Sequence, residues 1–199
     1  MTSVILASAS QIRLMVLKNA GVSCDVRPAD IDETGIKQAM KRDRDFSNTD
    51  LAALLARSKA ISISQSYPAK IVIGADQILE CETKSFDKPE NPSQARDHLL
   101  ELRGKTHSLI SAVCCALDGE IIWSLEDEAL LTMRDFSNEF LGTYLASMGD
   151  DVMHSVGGYK IEGLGLQLFE EIKGDYFTIL GLPLLPLLAF LRSREILLK

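Results

Sequence analysis

Aromatic side chains are scarce in this chain, 6% of 199 residues with a single tryptophan. That leaves little material for the stacking platforms on which single-stranded nucleic acids are held. Positive charge is short too. Lys and Arg number 21 against 28 Asp and Glu, a formal net charge of −7, so the broad basic footprint of a nucleic-acid-binding module is missing. A site for an anion must then be a local cluster of basic groups on an acidic body. There are 3 histidines, and no HxxxH, HExxH or Cys/His cluster of a zinc-binding kind. The four cysteines, Cys24, Cys81, Cys114 and Cys115, include no CxxC pair. Cys114 and Cys115, adjacent in an expected strand, point to opposite faces. All four are read as reduced, mostly buried thiols of a cytoplasmic protein. The longest apolar stretch, 179–191, is too short to cross a bilayer and contains Pro183 and Pro186, so it is read as a core helix and no membrane partner is expected. The start, Met1-Thr2-Ser3, lacks the basic opening of a secretory leader.

What remains is an ordinary globular composition, 46% hydrophobic and 25% charged. The length suits one domain, or two small lobes sharing a core, with no sharp boundary. Val4-Ile5-Leu6-Ala7 reads as a buried strand, followed by a hydroxyl-rich turn and a helix that Gly21 stops. A second strand is expected over 23–27, an acidic loop over 28–34 and a polar surface segment over 35–48. Thr49-Asp50 starts a helix running to about Ser66. Residues 70–75 form a fully apolar run, the mark of a buried strand, which delivers Asp76-Gln77 at its end. Pro92-Ser93 opens a helix to Arg103-Gly104. Two strands, 106–116 and 120–131, flank Asp118-Gly119, a hairpin turn signal. Ser137 caps a helix ended by Gly149, residues 159–172 read as strand-like, and a last helix covers about 183–195. The order implies an α/β protein with a mixed twisted sheet and flanking helices.

Three features suggest chemistry. In Ser8-Ala9-Ser10-Gln11-Ile12-Arg13, a strand feeds a helix N-terminus through hydroxyls. Backbone N–H groups there favour an anion, and Arg13 can fork onto phosphate oxygens; the plain alternative is capping by Ser10. Asp76 stands where open α/β sheets hold ligands, suited to a base or a metal ligand, or else simply a cap. Lys59, Lys88 and Lys105, with Asp32 and Glu33, are charged groups that each have an ordinary solvated reading. His107 reads as structural. Gly157-Gly158 and Gly163-Leu164-Gly165 lack the strand and helix that a dinucleotide fingerprint requires.

In order along the chain, the segments LASASQIR (6–13), DIDET (30–34), ARSKA (56–60), IGADQ (73–77), DKP (87–89), LRGKTH (102–107), GGYKIEGLG (157–165) and GDYFTILGLPL (174–184) resemble the Maf family of nucleoside triphosphate pyrophosphatases. The resemblance covers nearly the whole chain as a single Maf-like domain. It implies two lobes around a nucleotide cleft, a homodimer, a divalent cation (Mg²⁺ or Mn²⁺), and hydrolysis of a triphosphate to monophosphate and pyrophosphate. Asp76 matches the family's catalytic acid, and Ser8, Ser10 and Arg13 match its phosphate-binding turn. Lys59 and Lys88 match its triphosphate-facing lysines, Glu33 matches an acidic residue near the metal, and the resemblance allows Asp76 either to activate the water or to hold that metal with Glu33.

This sequence departs from the family's usual S-x-S-P-R-R turn, with Gln11 and Ile12 in place of proline and the first arginine. Ile12, Gln77 and Glu162 fall on specificity positions. Gln77 and Glu162 resemble the branch acting on 7-methyl-GTP rather than the pyrimidine branch, where a threonine and a glutamine stand. A glutamate can accept two hydrogen bonds from guanine N1–H and N2–H₂, and loss of a cation at Ile12 suits a base that is itself cationic. The remaining alternatives are dTTP/UTP or broad-range hydrolysis, and a regulator of septum formation that binds nucleotide without turning it over.

Overall fold

The buried run near the start forms β1 (Val4–Leu6) in the computed structural model, which describes residues 4–40 and 46–198. The sequence readings at 1–3, and at 41–45 within the expected surface segment, lie outside the described residues. After β1 come α1 (Gln11–Asn19), β2 (Cys24–Val26), α2 (Glu33–Met40), α3 (Asn48–Ser64), β3 (Val72–Cys81), β4 (Lys84–Phe86) and α4 (Pro92–Leu102). The hairpin strands β5 (Thr106–Leu117) and β6 (Glu120–Met133) precede α5 (Asn138–Met148). Three 3-10 turns lead to β7 (Phe169–Lys173), α6 (Tyr176–Ile179) and α7 (Leu184–Ser193). The protein is α/β, with a mixed open sheet of seven strands among the described residues.

The chain divides into two compact units. The first comprises Met1–Gln77, Ile110–Glu128 and Asp175–Lys199. There β1 lies between two parallel neighbours, with Val4 opposite Cys24 and Ile5 opposite Val72. All three residues of β1 are buried, as a strand with parallel neighbours on both sides requires. A capping box formed by Ser47 and Asp50 starts α3. Gly74 lets α3 lie on β3, because a methyl group there would run into the Ala56 carbonyl oxygen and sit 2.8 Å from Ala60 Cβ. Asp118 and Gly119 both have positive φ, 52° and 85°, the geometry of a tight two-residue hairpin turn.

The second unit comprises Ile78–Leu109 and Ala129–Gly174. The far half of β3 pairs antiparallel with β4, and that of β6 with β7. Asn91 and Ser137 cap α4 and α5 through their side chains. His107, buried, has Nε2 2.7 Å from the Tyr159 hydroxyl, which supports its structural reading.

Several expectations are corrected. β3 does not end at Ala75 but runs on to Cys81, so Asp76 and Gln77 stand inside a strand. Polar residues fit there because each is partnered: Asp76 by Lys59, and Gln77 by Ser111 and two carbonyls. The acidic loop turns into α2 at Glu33, with Asp32 Oδ1 accepting from the Gly35 N–H at 2.8 Å. That side-chain cap outweighs the low helix propensity of Gly35. The strand expected over 159–172 is mostly turns, with only Phe169–Lys173 extended. The glycine-rich composition before it suits turns better than a ladder. The apolar run 179–191 is two helices, because Gly181 takes φ 85° and Pro183 cannot continue a helix.

Candidate active site

The Ser8–Arg13 turn forms as an N-terminus. Ser10 Oγ accepts from the Arg13 N–H at 3.4 Å and begins α1. Ser8 is buried, and its Oγ accepts from the Ser10 N–H at 3.3 Å. Ile12 is half-buried on the first turn of α1.

The Arg13 side chain turns inward instead of outward. It is 9% exposed. Its Nε donates to the Gly181 carbonyl at 2.8 Å, and its Nη1 donates to Ser8 Oγ at 3.1 Å and to the Ala75 carbonyl at 3.0 Å. Two of the three guanidinium nitrogens are thus committed to protein acceptors, where the sequence reading had the fork on phosphate. Burial pulls the guanidinium down from its ordinary pKa, while the charges of Asp76 and Glu33 pull it back up.

One helical turn of α3 supplies the other cation. Lys59 Nζ lies 2.6 Å from Asp76 Oδ1 and 2.7 Å from Glu33 Oε1. The Lys59 and Asp76 side chains are about nine-tenths buried, at 11% and 12% exposure, whereas Glu33 is 44% exposed. Three elements converge here: the start of α2, the middle of α3 and the middle of β3. Among the described residues no group of three or more His, Cys, Asp or Glu gathers as a metal nest. Two carboxylates meeting on one ammonium are, however, a donor set that suits a hard cation completed by waters and substrate phosphates, the usual manner of Mg²⁺.

Gln77, on the opposite face of β3 from Asp76, is fixed by its amide. Nε2 donates to Ser111 Oγ at 3.0 Å and to the carbonyls of Thr178 and Ile179 at 3.1 and 3.0 Å. The Ser111 hydroxyl donates to the Thr178 carbonyl at 2.8 Å, so it can only accept from Gln77. Thr178 Oγ1 in turn donates to Asp127 Oδ2 at 2.6 Å.

The first unit therefore brings Ser8, Ser10, Arg13, Glu33, Lys59 and Asp76 together, while Gln77 faces the other side of β3 and Ile12 stands on the first turn of α1. Lys88 and Glu162 belong to the second unit. Lys88 is exposed in the loop after β4, and Glu162 is exposed in the turn before Leu164–Leu168. Sequence reasoning passed over Ser111, Asp127 and Thr178. The signals were present: Ser111 interrupts the apolar run 109–116, and Thr178 interrupts an aromatic and aliphatic stretch. Both are fully buried, and a buried polar group needs a partner.

These features place a serine-rich helix N-terminus next to a Lys-bridged acidic pair on an α/β sheet. The profile of the family described as Maf-like protein matches residues 3–194, and the chain belongs to that family. It is 47% identical over 191 residues to a nucleoside triphosphate pyrophosphatase of Granulibacter bethesdensis, covering 96% of each chain. A protein of the same description from Bradyrhizobium diazoefficiens is 50% identical over 192 residues, covering 96% of this chain and 94% of that one. A 7-methyl-GTP pyrophosphatase of Brucella abortus is 46% identical over 191 residues, covering 96% of each.

Proposed function

We propose that the protein hydrolyses a nucleoside triphosphate to its monophosphate and pyrophosphate, and that its substrate is a 7-methyl-GTP-like nucleotide cleared from the nucleotide pool. The activity is supported by relatives of that description at close to half identity over nearly the full length. The observation that carries the site is the Lys59 ammonium held between Glu33 and Asp76, beside the Ser8–Arg13 turn.

In this reading Asp76 takes the proton of the attacking water, or orients it, at the α-phosphorus. The α1 N-terminus with Ser8 and Ser10, together with Lys59 and Lys88, offsets the charge of the phosphates and of the leaving pyrophosphate. Glu33 and Asp76 would hold a Mg²⁺ or Mn²⁺, which supplies further charge neutralisation on the phosphate oxygens. Arg13 contributes by holding the turn in place.

Ile12, Gln77 and Glu162 set the choice of base. A Brucella relative described as a 7-methyl-GTP pyrophosphatase supports that choice. The reading also includes a homodimer in the cytoplasm with no nucleic-acid partner. Four free thiols suit a reducing compartment, and the net charge of −7 disfavours a nucleic-acid backbone.

The test is pyrophosphate release from 7-methyl-GTP, GTP, UTP and dTTP with one metal, compared by kcat/KM. The highest value is expected for 7-methyl-GTP. A pyrimidine triphosphate in first place would move the protein to the other branch, and no release from any of the four would remove the activity.

A further inference from the structure

Asp76 is bracketed along its own strand. The residue before it, Ala75, offers its carbonyl to Arg13 Nη1 at 3.0 Å. The residue after it, Gln77, sends its amide to the carbonyls of Thr178 and Ile179. Arg13 closes the ring by donating Nε to the Gly181 carbonyl. Both flanks of Asp76 are therefore tied to one short segment, 178–181, which lies more than a hundred residues further along the chain.

That segment is itself held. Asp175 Oδ1 accepts the N–H groups of Phe177 and Thr178 at 3.0 and 3.1 Å. Thr178 Oγ1 donates to Asp127 Oδ2 on β6, and the Ser111 hydroxyl on β5 reaches the Thr178 carbonyl. The close fit is visible at Gly181. With φ 85°, a methyl group there would sit 3.2 Å from Arg13 Nη2 and 3.5 Å from Gln77 Oε1.

We infer that Asp127 is a positioning residue for the reaction: through Thr178 it fixes the 178–181 segment, and through Gln77 and Arg13 that segment fixes the backbone from which Asp76 projects. Asp127 touches no substrate in this scheme. Its effect rests on the proposed role of Asp76, and it falls on the orientation of that carboxylate rather than on binding. Small misplacements of a catalytic group are costly, of the order of 10²-fold for ~1 Å, and a hydrogen-bonded support shell is what prevents them.

The experiment measures kcat and KM for pyrophosphate release in Asp127→Ala, Thr178→Val, their double variant, Asp127→Asn and Thr178→Ser, each normalised to the folded fraction from circular dichroism. Asp127→Ala and Thr178→Val should each lower kcat by ~10-fold or more with KM within ~2-fold, and the double variant should lose no more than the worse single one. Asp127→Asn keeps an acceptor oxygen and Thr178→Ser keeps a hydroxyl, so both should hold kcat within ~3-fold. Full kcat in folded Asp127→Ala overturns the inference. So does additive loss in the double variant, or an Asn variant as impaired as the Ala variant. Asp76→Asn, run alongside, separates the two questions: if it stays active the site reading itself fails, whereas an inactive Asp76→Asn beside an unaffected Asp127→Ala sinks the positioning role alone.

Discussion

Lys59 Nζ sits 2.6 Å from Asp76 Oδ1, both side chains about nine-tenths buried, and the same nitrogen holds Glu33 at 2.7 Å. A cation shared by two carboxylates keeps both in a fixed geometry and can be traded for a metal or substrate charge. Asp76→Asn keeps the shape and removes the carboxylate that the proposed mechanism uses. Its kcat should fall by ~10²-fold or more while the melting temperature stays close to that of the parent. Lys59→Met should also abolish most turnover, and it should cost on the order of 2 kcal/mol in urea unfolding, because it leaves Asp76 without its partner away from water. A folded Asp76→Asn protein with near-parental turnover would remove this carboxylate from the chemistry.

Arg13→Lys tests the inward guanidinium. One ammonium cannot copy a planar fork that reaches Gly181, Ala75 and Ser8 at once. Both kcat, by ~10-fold, and thermal stability are expected to drop. If stability were unchanged, the three bonds would not be holding the turn.

Glu162→Ala should reduce the preference for guanine-type over pyrimidine triphosphates by ~10-fold, the worth of a hydrogen bond to a charged acceptor. Turnover of the best substrate should change less. Equal losses for every base would mean that Glu162 does not read the base.

Burial pushes the His107 imidazole down to about 4 from its ordinary value near 6.5. The unfolded chain therefore takes up a proton that the folded chain refuses. Stability should fall as the pH drops from ~6.5 to ~4, by up to about 3 kcal/mol for this group, and level off below that. His107→Phe abolishes this contribution. It leaves the Tyr159 hydroxyl without its partner, a loss that does not vary across that range. Urea titrations at pH 7, 5.5 and 4.5 should show a shallower pH dependence in the variant, and parallel curves would exclude His107 as the source.

Much of the fold is legible in the residues. The apolar run in β1, the Ser137 cap and the Asp118-Gly119 turn are local signals, and each is found where expected; α3 starts at Asn48 behind a Ser47 cap, just before the expected Thr49-Asp50. The misreading at Asp76 and Gln77 lies where distant partners override local preference, and the others lie where a local signal was outweighed by composition. Asp76 and Gln77 look like the end of a strand until Lys59, Ser111 and the 178–181 carbonyls satisfy them. At 31–35 a cap signal was present in Asp32 and Glu33, but Gly35 and the polar composition masked it. At 180–183 the glycine and proline break the single core helix read over 179–191, while the last helix expected over about 183–195 is found as α7.

The candidate site divides along the same line. Ser8, Ser10, Arg13 and Asp76 can be picked from the sequence because each residue type sits in a recognisable local setting, whereas Lys59 stands out only through the family resemblance. Whether Arg13 points at a ligand or at the protein cannot be so picked, since its acceptors at Ala75 and Gly181 are 62 and 168 residues away. Periodicity and turn chemistry determined most of the elements, side-chain type determined the chemical inventory, and the ordered motif segments carried the resemblance to the family. The tertiary structure alone decided which charges meet, because hydrogen bonds and ion pairs act over a few ångströms in space however far apart their partners stand along the chain.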